Sequence, residues 1–281
     1  MRKYSPSNRI SFGGFLLMLI LGVIAGAALG GVLWAIEHFT SFYLVLLFPI
    51  VAGAILGGVL AFIVRSSKVR NPLIAGLVGI VAAVVMYGVY HVASYYVSFR
   101  GQVREFILED SNETPSDEEL DAIINAVLES EVGDTGFMGY LKLTAEEGIS
   151  ITRATASSSS SGLELKDELV WGYWVIEFLL AAGFAAWIAA KEARQPFDEE
   201  DNAWYGPPQF FAIAPAKARK DILDALKNGD YQRAGTILTR EDIKYPRLEV
   251  YMRQSATGGV GNKDIYLDIQ HFQRKGRGNS I

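Results

Sequence analysis

Phe12-Gly-Gly-Phe-Leu-Leu-Met-Leu-Ile-Leu-Gly-Val-Ile-Ala-Gly-Ala-Ala-Leu-Gly-Gly-Val-Leu-Trp-Ala-Ile36 contains no charged residue. The hydrocarbon core of a bilayer is about 30 Å thick and takes about 20 apolar residues at 1.5 Å each, so this stretch is long enough to cross it. Phe42–Val64 and Pro72–Val97 follow with the same character, and a fourth run, Leu169–Ala190, comes after a polar interval. Apolar runs of this length are rarely helices of a soluble core. The expected fold class is therefore integral membrane and α-helical: a four-span bundle with a small helical extracytoplasmic domain and a small α+β cytoplasmic tail domain. The expected divisions are a three-span membrane domain over 1–97, an acidic helical domain with a Ser-rich linker over 98–167, the fourth span over 168–190, and the tail domain over 191–281.

Charge sets the expected orientation. Arg2, Lys3 and Arg9 precede the first span, and Arg65, Lys68 and Arg70 lie between the second and third, with no acid in either place. Short loops rich in Lys and Arg stay on the cytoplasmic side. The first-to-second connection carries Glu37 and His38, and the interval Ser98–Lys166 holds 14 acids against five bases. Both termini are thus expected in the cytoplasm, with the protein multi-pass in a plasma (inner) membrane. The basic leader before the first span invites comparison with a signal peptide, but the apolar run is too long and Trp34-Ala-Ile-Glu37 is a poor cleavage site. It is expected to remain as an anchor. Half of the 281 residues are hydrophobic and there is no cysteine, which excludes disulfides and thiolate chemistry.

Spans one and two share a near-repeat, Ile24-Ala-Gly-Ala-Ala-Leu-Gly-Gly-Val-Leu33 and Val51-Ala-Gly-Ala-Ile-Leu-Gly-Gly-Val-Leu60. Gly22, Gly26 and Gly30 fall on one helix stripe, as do Gly53 and Gly57. In lipid, such stripes let backbones approach and gain packing energy. Packing of these two neighbouring helices on each other is expected; they would serve a homo-oligomer equally. Pro49 implies a kink in span two.

His91 and Glu177 are ionisable residues inside the spans, and such residues are functional hypotheses by default. At the helical rise they lie roughly 9 and 12 Å from the outer ends of spans three and four. The matched depths predict that they face each other as an intramembrane polar pair, with Tyr87 and Tyr90 on nearby turns. Two readings stay open: a structural hydrogen bond between spans, or a proton or ion path. Trp171, Tyr173 and Trp174 read as interfacial anchors.

In the polar interval, Arg100–Asp110 reads as a continuation of the third helix. Ser116 with Glu119 forms a capping box for a helix over Ser116–Ser130, stopped by Gly133. Its apolar face is Leu120, Ile123, Ile124, Val127 and Leu128. A second helix is expected over Phe137–Glu147, then an extended stretch Ile149–Arg153 and a flexible linker Thr155–Gly162. In the tail, helices are expected over Lys217–Lys227 and from Asp230 through Leu238, and a hairpin from strands Leu248–Gln254 and Asp264–Gln273.

The stretch Pro196-Phe-Asp-Glu-Glu-Asp-Asn-Ala-Trp-Tyr-Gly-Pro-Pro208 resembles the juxtamembrane motif of an uncharacterised group of bacterial multi-pass membrane proteins, in which Pro-Phe is followed by a C-x-x-C pair and then Trp-Tyr. Gly136-Phe-Met-Gly-Tyr-Leu-Lys-Leu-Thr-Ala-Glu-Glu-Gly-Ile-Ser-Ile-Thr-Arg153 is similar to that group as well. The cysteines there look like half of a zinc ribbon. Here Asp198 and Asp201 stand in their place, and the distal turn Gln254–Asn262 has no ligand. The resemblance implies a zinc-ribbon-like domain that has lost its metal, since closed zinc sites use thiolate and imidazole. Asp198 and Asp201 remain weak candidates for a hard cation.

Gly258-Gly-Val-Gly261 precedes a strand rather than a helix, so it lacks the phosphate-binding context. His38, His91 and His271 are scattered, and the common hydrolase and metalloprotease motifs are missing. The basic end Arg274, Lys275 and Arg277 reads as a solubilising tail, with no nucleic-acid partner expected. No cofactor is expected. These observations point to a non-enzymatic scaffold or accessory subunit that binds a protein partner. The alternative is a channel or secondary transporter subunit that uses the His91 and Glu177 pair.

Overall fold

The computed structural model describes residues 4–40, 47–151, 163–254 and 265–273. The chain divides into two units, Arg9–Ala193 and a second one made of Met1–Asn8 with Arg194–Ile281. Among the described residues, four helices are long and apolar enough to cross a membrane: Phe12–Thr40, Leu47–Ser67, Pro72–Ser111 and Glu168–Ala193.

In the first unit these helices form a ring. Helix α1 (Phe12–Thr40) packs on α3 (Pro72–Ala93), α3 on α7 (Glu168–Ala193), α7 on α2 (Leu47–Ser67), and α2 on α1. The start of α3 is fixed locally. Asn71 accepts hydrogen bonds from the amides of Leu73 and Ile74 at 3.0 and 3.1 Å, and Pro72 follows the cap, where its missing N–H costs nothing.

Small residues decide which helices meet. The buried stripe of α1 is Gly14, Met18, Gly22, Gly26 and Gly30. Its second half lies against α3, where a methyl group on Gly26 would strike the carbonyl of Ala82 and one on Gly30 that of Met86; Gly22 lies between Val78 of α3 and Leu60 of α2, and Gly14 meets the Ser67 carbonyl at the end of α2. Gly53 of α2 faces α7, where an added Cβ would come within 2.5 Å of the Ala181 carbonyl oxygen, and Gly57 faces Ala185 and Ile188. Gly22 thus touches span two through Leu60, while Gly26, Gly30, Gly53 and Gly57 face other helices instead of each other. Each stripe meets a helix that is itself lined with alanine or glycine. In α7 that lining is Ala181, Ala185, Ala189 and Ala193, all buried and four residues apart. Two facing surfaces of small side chains allow a closer approach than glycine against leucine.

Helix α3 does not stop at the end of its apolar run. It passes through one π-helical segment, Ser94–Phe99, into α4 (Arg100–Ser111), which ends at Asn112 in the left-handed conformation. Helix α5 (Asp117–Val132) begins with the expected capping box, the Ser116 amide donating to Glu119 Oε2 at 2.9 Å and the Glu119 amide to Ser116 Oγ at 3.3 Å. The expected apolar face is narrower than five residues. Leu120, Ile124 and Leu128 are buried against Phe99, Val103, Ile107 and Leu143, whereas Ile123 and Val127 are exposed. Only the i, i+4, i+8 row points at α4 and at α6 (Gly136–Glu147). Strands β1 (Ile149–Ile151) and β2 (Leu163–Leu165) pair antiparallel. The linker Thr155–Gly162 lies outside the described residues.

The second unit holds a short ribbon, β3 (Phe197–Asp198) with β4 (Ala203–Trp204), and an antiparallel sheet in the order β5 (Gln209–Pro215), β6 (Arg247–Gln254), β7 (Ile265–Phe272). Two helices, α8 (Arg219–Lys227) and α9 (Tyr231–Ile237), pack on one face of it. Their core is Ala214, Ile222, Ala225, Leu226, Ala234 and Leu248. The expected hairpin is β6 and β7. Strand β5 was not expected: a bulge between Phe210 and Ala212 interrupts its pairing with β6, which breaks the alternation that marks a strand in sequence. The glycine-rich turn and the basic end with Arg274, Lys275 and Arg277 lie outside the described residues.

Candidate functional site

One end of the helix ring, where α1 ends and α7 begins, holds a cluster of polar side chains. The stripe of α7 explains why. Counting back by fours from Ala193 through Ala181 reaches Glu177 and then Tyr173, both buried. Where the alanines stop, a carboxylate and a phenol occupy the same packing line. The Tyr173 hydroxyl donates to Glu177 Oε1, which supplies part of the hydrogen bonding that a carboxylate 4% exposed requires.

Beside Glu177 is a cavity lined by Leu33, Pro49, Ala52, Met86, Tyr87 and Tyr90. Its volume is about 20 Å³, room for roughly one water. Tyr90 points its hydroxyl the other way along the cluster and donates to Glu37 Oε2. Two carboxylates, Glu37 from α1 and Glu177 from α7, are thus each held by a phenol.

His91 does not pair with Glu177, contrary to the expectation from their depths. The imidazole makes ring contacts to Tyr87, Tyr90 and Trp174 at 6.1, 4.9 and 5.4 Å between centroids, while Glu177 accepts from Tyr173. The two differ in level: Tyr87 meets Phe178, next to Glu177, whereas His91, one turn further along α3, meets Trp174. His91 shares its aromatic surroundings with the carboxylate rather than a hydrogen bond.

A second polar latch was not foreseen. Trp34 Nε1 donates to Ser98 Oγ at 2.9 Å, and Ser98 Oγ lies 2.9 Å from His38 Nδ1. An indole can only donate, so the serine oxygen accepts from Trp34, and its second contact, to His38 Nδ1, completes the latch. These contacts tie the end of α1 to the π-helical segment that continues α3. Next to it, Tyr95, Phe99, Phe137 and Tyr140 form an aromatic cluster. Burial raises the Tyr140 phenol above its ordinary range. Glu37 and Ser98 were missed because α1 runs to Thr40 rather than Ile36, which turns a presumed loop residue into a helix residue facing α3.

In the second unit, Asp198 forms a turn. Its Oδ1 accepts from the amides of Glu200 and Asp201 at 3.0 and 3.1 Å, a common use of aspartate in tight turns. Among the described residues, no three His, Asp or Glu side chains converge as a metal site would need. The strongest polar network there is on β6. Arg247 Nε and Nη2 donate to Glu249 Oε1 at 2.9 and 2.7 Å, and the Tyr251 hydroxyl donates to Oε2 at 2.6 Å. The Tyr251 bond first, and then the Arg247 pairing, hold the Glu249 carboxyl below its ordinary range. These residues alternate with core-facing Leu248 and Val250, so they occupy the opposite face of the sheet. The same face carries Phe210, which pairs with Tyr251 across the strands and is 54% exposed.

The chain matches no protein-family model, no curated protein and no solved structure. Function must therefore be read from these sites alone.

Proposed function

We propose that the chain is a non-enzymatic polytopic membrane protein that acts as a scaffold or accessory subunit. Its four apolar helices cross the membrane, 98–167 form a small extracytoplasmic domain, and 191–281 form a cytoplasmic domain that binds a protein partner. The observation that carries this reading is the closure of the helix ring. Gly26, Gly30 and Gly53 meet neighbouring backbones, and the cavity at the polar end has room for roughly one water. The polar side chains inside then serve as latches between helices, and the folded polar mass of the chain lies outside the spans. The basic residues that flank the first three spans support cytoplasmic termini. For the partner, the exposed Phe210 beside Tyr251 offers aromatic surface of the kind from which interfaces draw most of their energy.

The test is site-specific photo-crosslinking in cells, with the photoreactive residue at Phe210 and a control at Lys220, followed by mass spectrometry. A single heterologous species captured at 210 and not at 220 is expected. Capture of further copies of this chain alone would replace the partner-binding reading with a homo-oligomer.

The cavity at Glu177 favours one alternative, a channel or secondary transporter subunit. That reading expects Glu177→Gln to abolish flux in liposomes while the protein stays folded; the scaffold reading expects no flux in either form.

A further inference from the structure

We propose that the outer edge of β7 is an interface with a second copy of this chain, the two β7 strands pairing antiparallel about Ile269. The inference goes beyond the partner reading above. Phe210 lies on β5, the opposite edge strand of the same sheet, so a partner there and a second copy at β7 do not compete.

The hydrogen-bond pattern shows which groups the edge presents. Ile213 of β5 exchanges both backbone bonds with Thr239, and the Gly206 amide donates to the Gln254 carbonyl. Ile213 stands opposite Glu249, so the odd-numbered residues of β6 bond to β7 and the even-numbered ones to the β5 side. Those odd residues are in register with Tyr266, Asp268, Gln270 and Phe272. Leu267, Ile269 and His271 therefore aim their N–H and C=O groups outward, and among the described residues no backbone group bonds to them.

The two edges of the sheet are built differently. A row of unpaired strand groups invites another strand, and proteins blunt such edges with bulges, proline, lysine or a covering segment. Strand β5 has the bulge between Phe210 and Ala212, the bridge to Thr239 and the terminal Pro215. Strand β7 has none of these. It keeps one unbroken register with β6 over its 8 residues and includes no proline, lysine or arginine.

The occupant follows from self-complementarity. Opposed residues of an antiparallel pair share a face, so a dyad between identical strands falls on a residue, and the centre of β7 lies between Asp268 and Ile269. A dyad at Asp268 would oppose two carboxylates, which is destabilising. A dyad at Ile269 instead sets each Asp268 against Gln270 of the other copy. The same two side chains already bond along the strand at 2.9 Å. In this register Tyr266 meets Phe272 at both ends, and Leu267, Ile269 and His271 exchange roughly six backbone hydrogen bonds. On the helix side, Leu267 and Ile269 pack on the core beneath α8 and α9, so the apolar row runs on from one copy into the other.

The chain has no cysteine, so single cysteines report the register without interference. Full-length Ile269→Cys in mild detergent, treated with a mild oxidant, is expected to form a disulfide with its own counterpart, because the Cα atoms of a hydrogen-bonded pair lie about 5.5 Å apart. Ile265→Cys is the control: its two copies would sit about 27 Å apart along the ladder, and cross-linking should be slower by roughly tenfold or more. Light scattering of the wild type should give the mass of a dimer. His271→Pro removes an outward N–H and leaves the β6 ladder intact, so it should give a monomer with unchanged far-UV circular dichroism. Gln270→Asp sets like charges across the interface and should weaken the dimer about tenfold, whereas Gln270→Lys should tighten it; a folding defect would not reverse sign in this way. Equal cross-linking at 265 and 269, a dimer that survives His271→Pro, or a monomeric wild type would each overturn the proposal. A monomer in which hydrogen exchange finds the Ile269 amide protected would show the edge covered by the chain's own residues, and capture of a different protein at 269 would give the edge to that partner; both outcomes also overturn it.

Discussion

Replacing Gly53 by alanine tests the packing of the helix ring at its tightest described contact between α2 and α7. An ideal Cβ at that position would sit 2.5 Å from the Ala181 carbonyl oxygen and 2.7 Å from the Ala181 Cα. Ordinary contact begins near 3.4 Å, so the two helices must separate by about 1 Å. Both obstacles are backbone, and no rotamer change relieves them. A gap of that size forfeits a quarter to a half of the dispersion energy along the seam, and overpacking of this kind costs about 1–3 kcal/mol. Gly58 is the control. It lies in the same helix, with nothing within 4 Å of its own virtual Cβ, and alanine there gains about 0.5–1 kcal/mol of helix propensity. Reversible unfolding in mixed micelles, followed by far-UV circular dichroism, should place Gly53→Ala below the wild type and Gly58→Ala level with it or above. If the two variants unfold together, the seam is not a backbone contact and the packing account fails.

Ile124→Ala should destabilise the α4–α6 segment by about 2–4 kcal/mol, since its side chain is 1% exposed. Ile123→Ala, on the exposed side of the same helix, should change hydrogen exchange in that segment little. Glu249→Gln should blunt the acid sensitivity of the second unit. Its carboxyl is held below the ordinary range in the folded state, so its contribution is present above that range and lost as the pH falls through the folded value. A thermal midpoint that varies with acid equally in both proteins would refute this. Ser98→Ala leaves the Trp34 indole without its acceptor and should cost about 1–2 kcal/mol in the same unfolding assay.

Four apolar runs were legible because bilayer length is a one-dimensional property, and the second unit's hairpin because its strands alternate. Direction around a helix was less so. His91 and Glu177 were placed at matching depth, but a side chain's neighbour inside a bundle depends on its stripe and on the register of the facing helix, and here Tyr87 rather than His91 lies level with Glu177. The signal was available in part: Tyr173 and Glu177 continue the spacing of Ala181, Ala185, Ala189 and Ala193, and read together they place the carboxylate on a packing face beside a tyrosine. The Trp34, His38 and Ser98 latch joins residues 60 or more positions apart, and nothing local announces it. Strand β5 was hidden by its bulge at Phe211. The glycine stripes were read from spacing alone, and the partners of Gly53 and Gly57 depend on alanines in a helix far along the chain.

The run Pro72–Ser111 is a single helix of 40 residues, about 60 Å from end to end. No loop interrupts it where the apolar part gives way to the polar part, so in the membrane reading proposed above it would act as a lever. A 10° change in its inclination, pivoting at Pro72, sweeps its tip through about 10 Å. Bilayers of different thickness set different inclinations for a long span, and in this chain such a difference would arrive, magnified by the length of the arm, at the helices carried beyond its end.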